Sequence, residues 1–157
     1  MKRKMTASVR LKRITRPIEH ILVHCSETTD VHSAKELNDW LDEQGRPPFG
    51  YHFIIDEQGN VEPGIDLSKV GFHCPAPGME YTSIAVCYLG GKQPVSGEII
   101  DTRTPQQMVA LRALVTALKT MFPNADISGH SNHDRYTKCP GFDAKREFAD
   151  ITGDIFV

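Results

Sequence analysis

Three of the most reactive side chains in this sequence can act together only if distant segments meet: His24 lies 106 residues before His130, and Cys139 follows nine residues later. Two imidazoles and one thiolate are a ligand set suited to zinc. Three protein ligands leave one tetrahedral position for water, whereas structural zinc sites usually close with four. Spacing alone is a weak signal, because seven histidines and four cysteines allow many such triples. The sequence around each residue is what singles this set out.

Residues 18–25 end in Ile-Leu-Val-His-Cys, a β-branched run that reads as a buried strand, and polar residues 26–30 terminate it. Alternation along a strand puts Leu22 and His24 on one face and Val23 and Cys25 on the other. His24 therefore stands at the carboxyl end of a core strand, and Cys25 belongs to the core. Ser33 and Glu36 have capping-box spacing before the apolar face Leu37, Trp40 and Leu41, and Gly45 stops that helix. Residues 51–55 predict a second strand, turned at 56–60 and returning through Val61. Residues 83–89 predict a third, closed by Gly90-Gly91.

Thr104-Pro105-Gln106-Gln107 starts another helix, with Thr as N-cap and Pro at the first helical position. Its stripe of Met108, Leu111, Leu114, Val115, Leu118 and Met121 reads as core, and Pro123 ends it. A short strand over 125–128 delivers Gly129, which permits close backbone approach, and then His130. Cys139 precedes Pro140-Gly141, which restricts the backbone around the sulfur. A last helix starting near Asp143 packs Phe148 and Ile151. The predicted fold is a single α/β domain, a central mixed β-sheet flanked by helices, with the zinc site at one edge of the sheet. It requires the first and last strands to be neighbours.

At 157 residues one domain is expected. No apolar run approaches the roughly 20 residues that span a bilayer. The basic start is not followed by the apolar segment of a secretory signal, which predicts synthesis in a reducing cytosol with the four cysteines as thiols or metal ligands. Residues 1–16 carry seven Lys/Arg and no acid, leaving 11 basic and 20 acidic residues, or −9, for the remainder. Residues 1–17 thus read as a basic arm, either solvated or bound to something anionic, and residues 18–157 as the folded domain.

A zinc ion with this donor set would polarise a carbonyl and lower the pKa of bound water from about 15.7 toward about 7. The thiolate's electron density weakens that drop, so a second group should help. Tyr51, His52, His73, His133, Thr137 and Lys138 are candidates, although a Tyr in an apolar run also packs and Thr137 also fits an ordinary loop. No carboxylate stands in an obvious general-base position, Glu27 being merely near His24 in sequence. A second chemistry stays open: Cys139 as nucleophile with His130 as base, which chelation would spare.

Six ordered blocks then resemble the type 2 N-acetylmuramoyl-L-alanine amidases, a family that includes phage lysozymes of the amidase kind and the animal peptidoglycan recognition proteins. They are Val23-His24-Cys25-Ser26, Gly50-Tyr51-His52-Phe53, Val70-Gly71-Phe72-His73, Ser83-Ile84-Ala85-Val86, Gly129-His130 and Lys138-Cys139-Pro140-Gly141-Phe142-Asp143, within residues 18–152. The resemblance implies His24, His130 and Cys139 as zinc ligands, Tyr51 as a catalytic tyrosine, and His73, with His52, on the substrate groove. Phage members usually carry lysine two residues before the ligand cysteine; Thr137 stands there, as in the animal proteins, and Lys138 is one residue closer. Thr137 is therefore expected to stabilise the oxyanion, with Lys138 as its substitute. Thr82 replaces an asparagine common in relatives, and His133 lies in a longer loop outside the family pattern.

The implied reaction is hydrolysis of the amide between N-acetylmuramic acid and L-alanine of the stem peptide, in a monomeric phage or prophage endolysin. Such a protein would be made in the bacterial host cytoplasm without a signal peptide and would act on the cell wall. Two other readings share the fold. One is a peptidoglycan-binding module, the usual outcome in relatives that lose the cysteine. The other is a regulator of phage RNA polymerase, bound through the basic arm, with no direct contact to nucleic acid.

Overall fold

The computed structural model describes residues 14–153. The expected basic arm lies mostly outside them, and with it the contact expected with RNA polymerase. The five strands are β1 (His20–Cys25), β2 (Phe53–Ile55), β3 (Val61–Pro63), β4 (Ser83–Tyr88) and β5 (Asp126–Gly129). They form one sheet in the order β3-β2-β4-β1-β5. β1 pairs in parallel with both β4 and β5, β2 is parallel to β4, and β3 returns antiparallel on β2. The first and last strands are neighbours, as the site requires. Parallel strands need their faces covered, and the helices supply that cover.

Helix α1 (Ala34–Glu43) begins where expected, the Ser33 hydroxyl accepting the Glu36 amide N–H. α2 (Met79–Thr82) is a single turn that the sequence reading missed. α3 (Pro105–Met121) has the full capping box: Thr104 Oγ1 accepts from Gln107 N–H, and Gln107 Oε1 accepts from Thr104 N–H. Gln107 does more than cap, because its buried amide donates to Leu89 O at 3.0 Å and Ile55 O at 3.3 Å, tying α3 to the ends of β2 and β4. The stripe on α3 is narrower than expected. Leu111, Val115 and Leu118 are buried, but Met108 and Met121 are 43% and 56% exposed, since at about 100° per residue they stand roughly 60° and 80° to either side of Leu111, at the edges of the stripe.

The expected last helix is two short ones, α4 (Ala144–Glu147) and α5 (Ala149–Thr152). The break falls at Phe148, whose ring is buried in the main core. That core lies between α3, α4 and one face of the sheet, formed by Ile21, Val23, Ile84, Val86 and Ile127. The other face carries Leu22 and His24, with Leu22 packed under Cys74 and Met79. Among the described residues, no helix is long and apolar enough to cross a membrane.

Candidate functional site

His24 is the penultimate residue of β1, and His130 follows the last residue of β5 in a 3-10 turn over His130–Asn132. Asn132 Oδ1 accepts the Gly129 N–H at 2.8 Å and holds that turn. Cys139 reaches the same place from the following loop through several restraints. A side chain on Gly129 would stand 2.7 Å from Pro140 Cδ, so only glycine lets the loop settle there. Tyr88 donates its hydroxyl to Pro140 O at 2.6 Å. Arg103 lies over the Phe142 ring at 3.4 Å while paired with Asp101 and Glu147. The Cys139–Pro140 peptide is cis.

One ligating atom from each of His24, His130 and Cys139 lies within 4.8 Å of the others. Cys139 Sγ is 3.7 Å from His24 Nδ1. Zinc bonds of about 2.3 Å to sulfur and 2.0–2.1 Å to nitrogen, at a tetrahedral angle, would separate two such atoms by roughly 3.6 Å. His130 Nε2 is buried without a hydrogen-bond partner, its contact with Asp134 Oδ2 at 3.5 Å falling short of one. Burial pushes the pKa of His24 well down, helped by His73 and His130, and burial also lowers His130. Neutral imidazoles are the form that binds a metal. The donor types and the sulfur–nitrogen separation fit zinc, with both imidazoles neutral.

His73 completes the arrangement. His24 Nε2 and His73 Nδ1 are 3.0 Å apart. If Nδ1 of His24 faces the metal, its Nε2–H donates to His73 Nδ1, which fixes the His24 tautomer as an outer partner of a metal ligand does. Burial first, then His52, His130 and Arg16, pull His73 down to about 3. It is therefore neutral, with a buried Nε2–H that has no partner. Glycine makes this approach possible as well: a side chain at Gly71 would lie 1.9 Å from Gly50 O, so the segments carrying Tyr51 and His73 press together. Tyr51 packs its ring 5.2 Å from His24. Burial, then the neighbouring thiols of Cys87, Cys139 and Cys25 and the Glu27 carboxylate, push its phenol well up, so it stays protonated.

A cysteine nucleophile is disfavoured here. Cys139 is 1% exposed, and contact with Cys25 and burial push its thiol well up. An attacking thiolate needs the opposite environment, whereas a divalent cation alongside would itself deprotonate the thiol.

The N-acetylmuramoyl-L-alanine amidase family model matches residues 14–142. The chain belongs to that family. Among its relatives, the endolysin of Klebsiella phage KP32 is 43% identical over 130 residues, 80% of this chain and 82% of that one. The endolysin of Escherichia phage T7 is 40% identical over 129 residues, covering 80% and 82%. Among solved structures, the endolysin amidase LysCS of Clostridium intestinale superposes with a TM-score of 0.65 at 25% identity, covering 88% of this chain and 83% of its own.

The remaining expected site residues of this amidase divide sharply. His52 is corrected to a structural residue: it is 1% exposed, its Nδ1 accepts the Ala85 N–H at 3.0 Å and its Nε2–H donates to Lys69 O at 2.8 Å, so no ring nitrogen is left for substrate. Arg16, counted with the basic arm, is buried beside it, donating to the carbonyls of Ser83, Tyr81 and Leu67. Thr137 Oγ1 accepts the Cys139 N–H at 3.0 Å and contacts Glu27 Oε1 at 3.4 Å, so the hydroxyl braces the ligand loop. Lys138 is exposed, and its ammonium makes no hydrogen bond or ion pair with any described residue.

Glu27 is the residue that sequence reasoning passed over. A carboxylate oxygen lies within 4.8 Å of the Cys139 sulfur. Its backbone is held at φ 58°, left-handed for a residue with a side chain, a strain of about 1–3 kcal/mol that clusters at functional sites. No local pattern announces such a turn. A cavity of about 310 Å³ runs from Glu27 past Asp30, Trp40 and Lys92. A larger one of about 530 Å³, along Pro105, Val109 and Ala113, holds no acid, base or ligand and is not the site.

Proposed function

We propose that this amidase is a zinc-dependent phage or prophage endolysin that cleaves the amide joining the lactyl group of N-acetylmuramic acid to L-alanine. One observation carries the reading: two neutral imidazoles and a thiol converge at the carboxyl ends of β1 and β5 with ligand-like separation. Zinc, when bound, supplies a Lewis acid for the scissile carbonyl and makes water acidic enough to react near neutral pH.

The chain's own groups do the rest. Tyr51 keeps its proton and donates it in a hydrogen bond to the oxygen that becomes negative, a contribution of about 3 kcal/mol for donors of this kind. Glu27 accepts the proton as the water oxygen bonds to the carbonyl carbon, and delivers it to the alanine nitrogen as the C–N bond breaks. Thr137 holds Cys139 and Glu27 in register. His73 positions His24 and offers its unpaired Nε2–H to a stem-peptide carbonyl. Lys138 remains available to oppose negative charge at the rim.

The test is mass spectrometry of purified peptidoglycan after digestion. Zinc-loaded protein is expected to release peptides with free L-alanine amino termini from glycan that keeps its lactyl groups, and chelation is expected to stop the reaction until zinc returns. Undiminished release after metal removal, or products with the lactyl–alanine bond intact, would refute it.

A further inference from the structure

The strand pair that ends in the metal group carries a second cluster at its opposite end. His20 opens β1, Asp126 opens β5, and the two are partners in the parallel register. Their side chains stand on the same face and are hydrogen-bonded, His20 Nδ1 to Asp126 Oδ1. His133 returns from the loop beyond β5 to meet them. Its Nε2 lies 2.8 Å from Ser128 Oγ, and its ring stands edge-on to His20 with centroids 5.6 Å apart.

We infer that His20, Asp126 and His133 form a second metal site, one that takes a divalent first-row transition ion through two imidazoles and a carboxylate. One ligating atom from each lies within 4.8 Å of the others. Two His and one carboxylate are an established donor set for zinc and for iron(II), and they leave coordination positions open to water. The side chains of His20 and Asp126 are 23% and 43% exposed, so an ion has an entry path. Two donors ride on paired strands, which keeps them neighbours before any ion arrives, and the ion would take the place of the proton in their hydrogen bond.

A plain His–Asp surface pair accounts for two of the three groups, and the Ser128 hydroxyl occupies only one ring nitrogen of His133, leaving the other for an ion. A shared ion gives it a function. His133 also lies between His130 and Cys139 in the chain, so an ion held there would restrain the loop that delivers two of the three zinc ligands.

Full-length protein stripped with chelator and titrated with cobalt(II) tests this. Two equivalents are expected to bind, only one of them showing a thiolate-to-cobalt charge-transfer band. Asp126→Asn and His133→Gln should each reduce binding from two equivalents to one while the band persists; Cys139→Ser should lose the band and keep one equivalent. His133 lies in a loop, which protects its variant from misfolding. A single equivalent in the unaltered protein, or two equivalents retained in both Asp126→Asn and His133→Gln, would overturn the second site. The Asp126-dependent equivalent is counted apart from lytic activity, so it stands or falls independently of the proposed reaction.

Discussion

The two faces of the central strands are equally dry but solve burial in different ways. On one face Ile21, Val23, Ile84 and Val86 meet Leu111, Val115 and Leu118 of α3 in an apolar cluster. On the other, Leu22, His24, Ala85 and Cys87 are just as inaccessible, yet the stretch is interrupted by an imidazole whose nitrogens face Cys139 on one side and His73 on the other. Apolar packing is non-directional and shared among many contacts. Polar burial depends on individual partners, and leaving one unpaired costs more than the bond itself returns. The first face therefore sets stability and the second sets chemistry.

That division can be broken by experiment. Leu111→Ala has the largest expected effect on stability, about 2–5 kcal/mol, as is usual for Leu-to-Ala changes in a packed core. Urea unfolding should report it while the folded fraction still binds metal with unaltered affinity; a parallel loss of metal would show that the faces are not independent. His73→Ala should do the reverse. Metal affinity is expected to fall roughly 10–100-fold, as when an outer partner of a ligand is removed, with only a small change in the unfolding midpoint.

The smallest effect belongs to the rim of the apolar face. Burial raises Asp101, but its hydrogen bonds and charge interaction with Arg103 outweigh this and hold it below the usual value. A lowered folded pKa means that its contribution is complete above the unfolded value of about 3.9 and is lost as pH falls through the folded one. The stability gap between the native protein and Asp101→Asn should therefore be present at neutral pH and close in acid.

Much of this was legible from local pattern. The Ser33 and Thr104 caps, the strand that carries His24 near its end, Gly129 before His130 and the restricted Cys139-Pro140 were all read from residue types whose physics acts within a few positions. Elements whose partners lie far away were not. His52 reads as a substrate-groove residue beside Tyr51, yet the Ala85 amide and the Lys69 carbonyl turn it inward. Arg16 reads as part of a solvated arm until three distant carbonyls gather around it. Met108 and Met121 fit the helical period, but period assigns a face and not how wide a strip of it the sheet covers. Glu27 was named only as a neighbour of His24 in sequence, because its own left-handed backbone decides where its carboxylate goes.

The central claim is a zinc ion held by His24, His130 and Cys139 with a coordination position left open. X-ray absorption at the zinc edge, on protein loaded with one equivalent, measures this most directly. The account predicts one sulfur at about 2.3 Å and two imidazole nitrogens at about 2.0–2.1 Å, completed by a light water-like donor. A first shell without sulfur, or one closed by a fourth protein ligand, would contradict it.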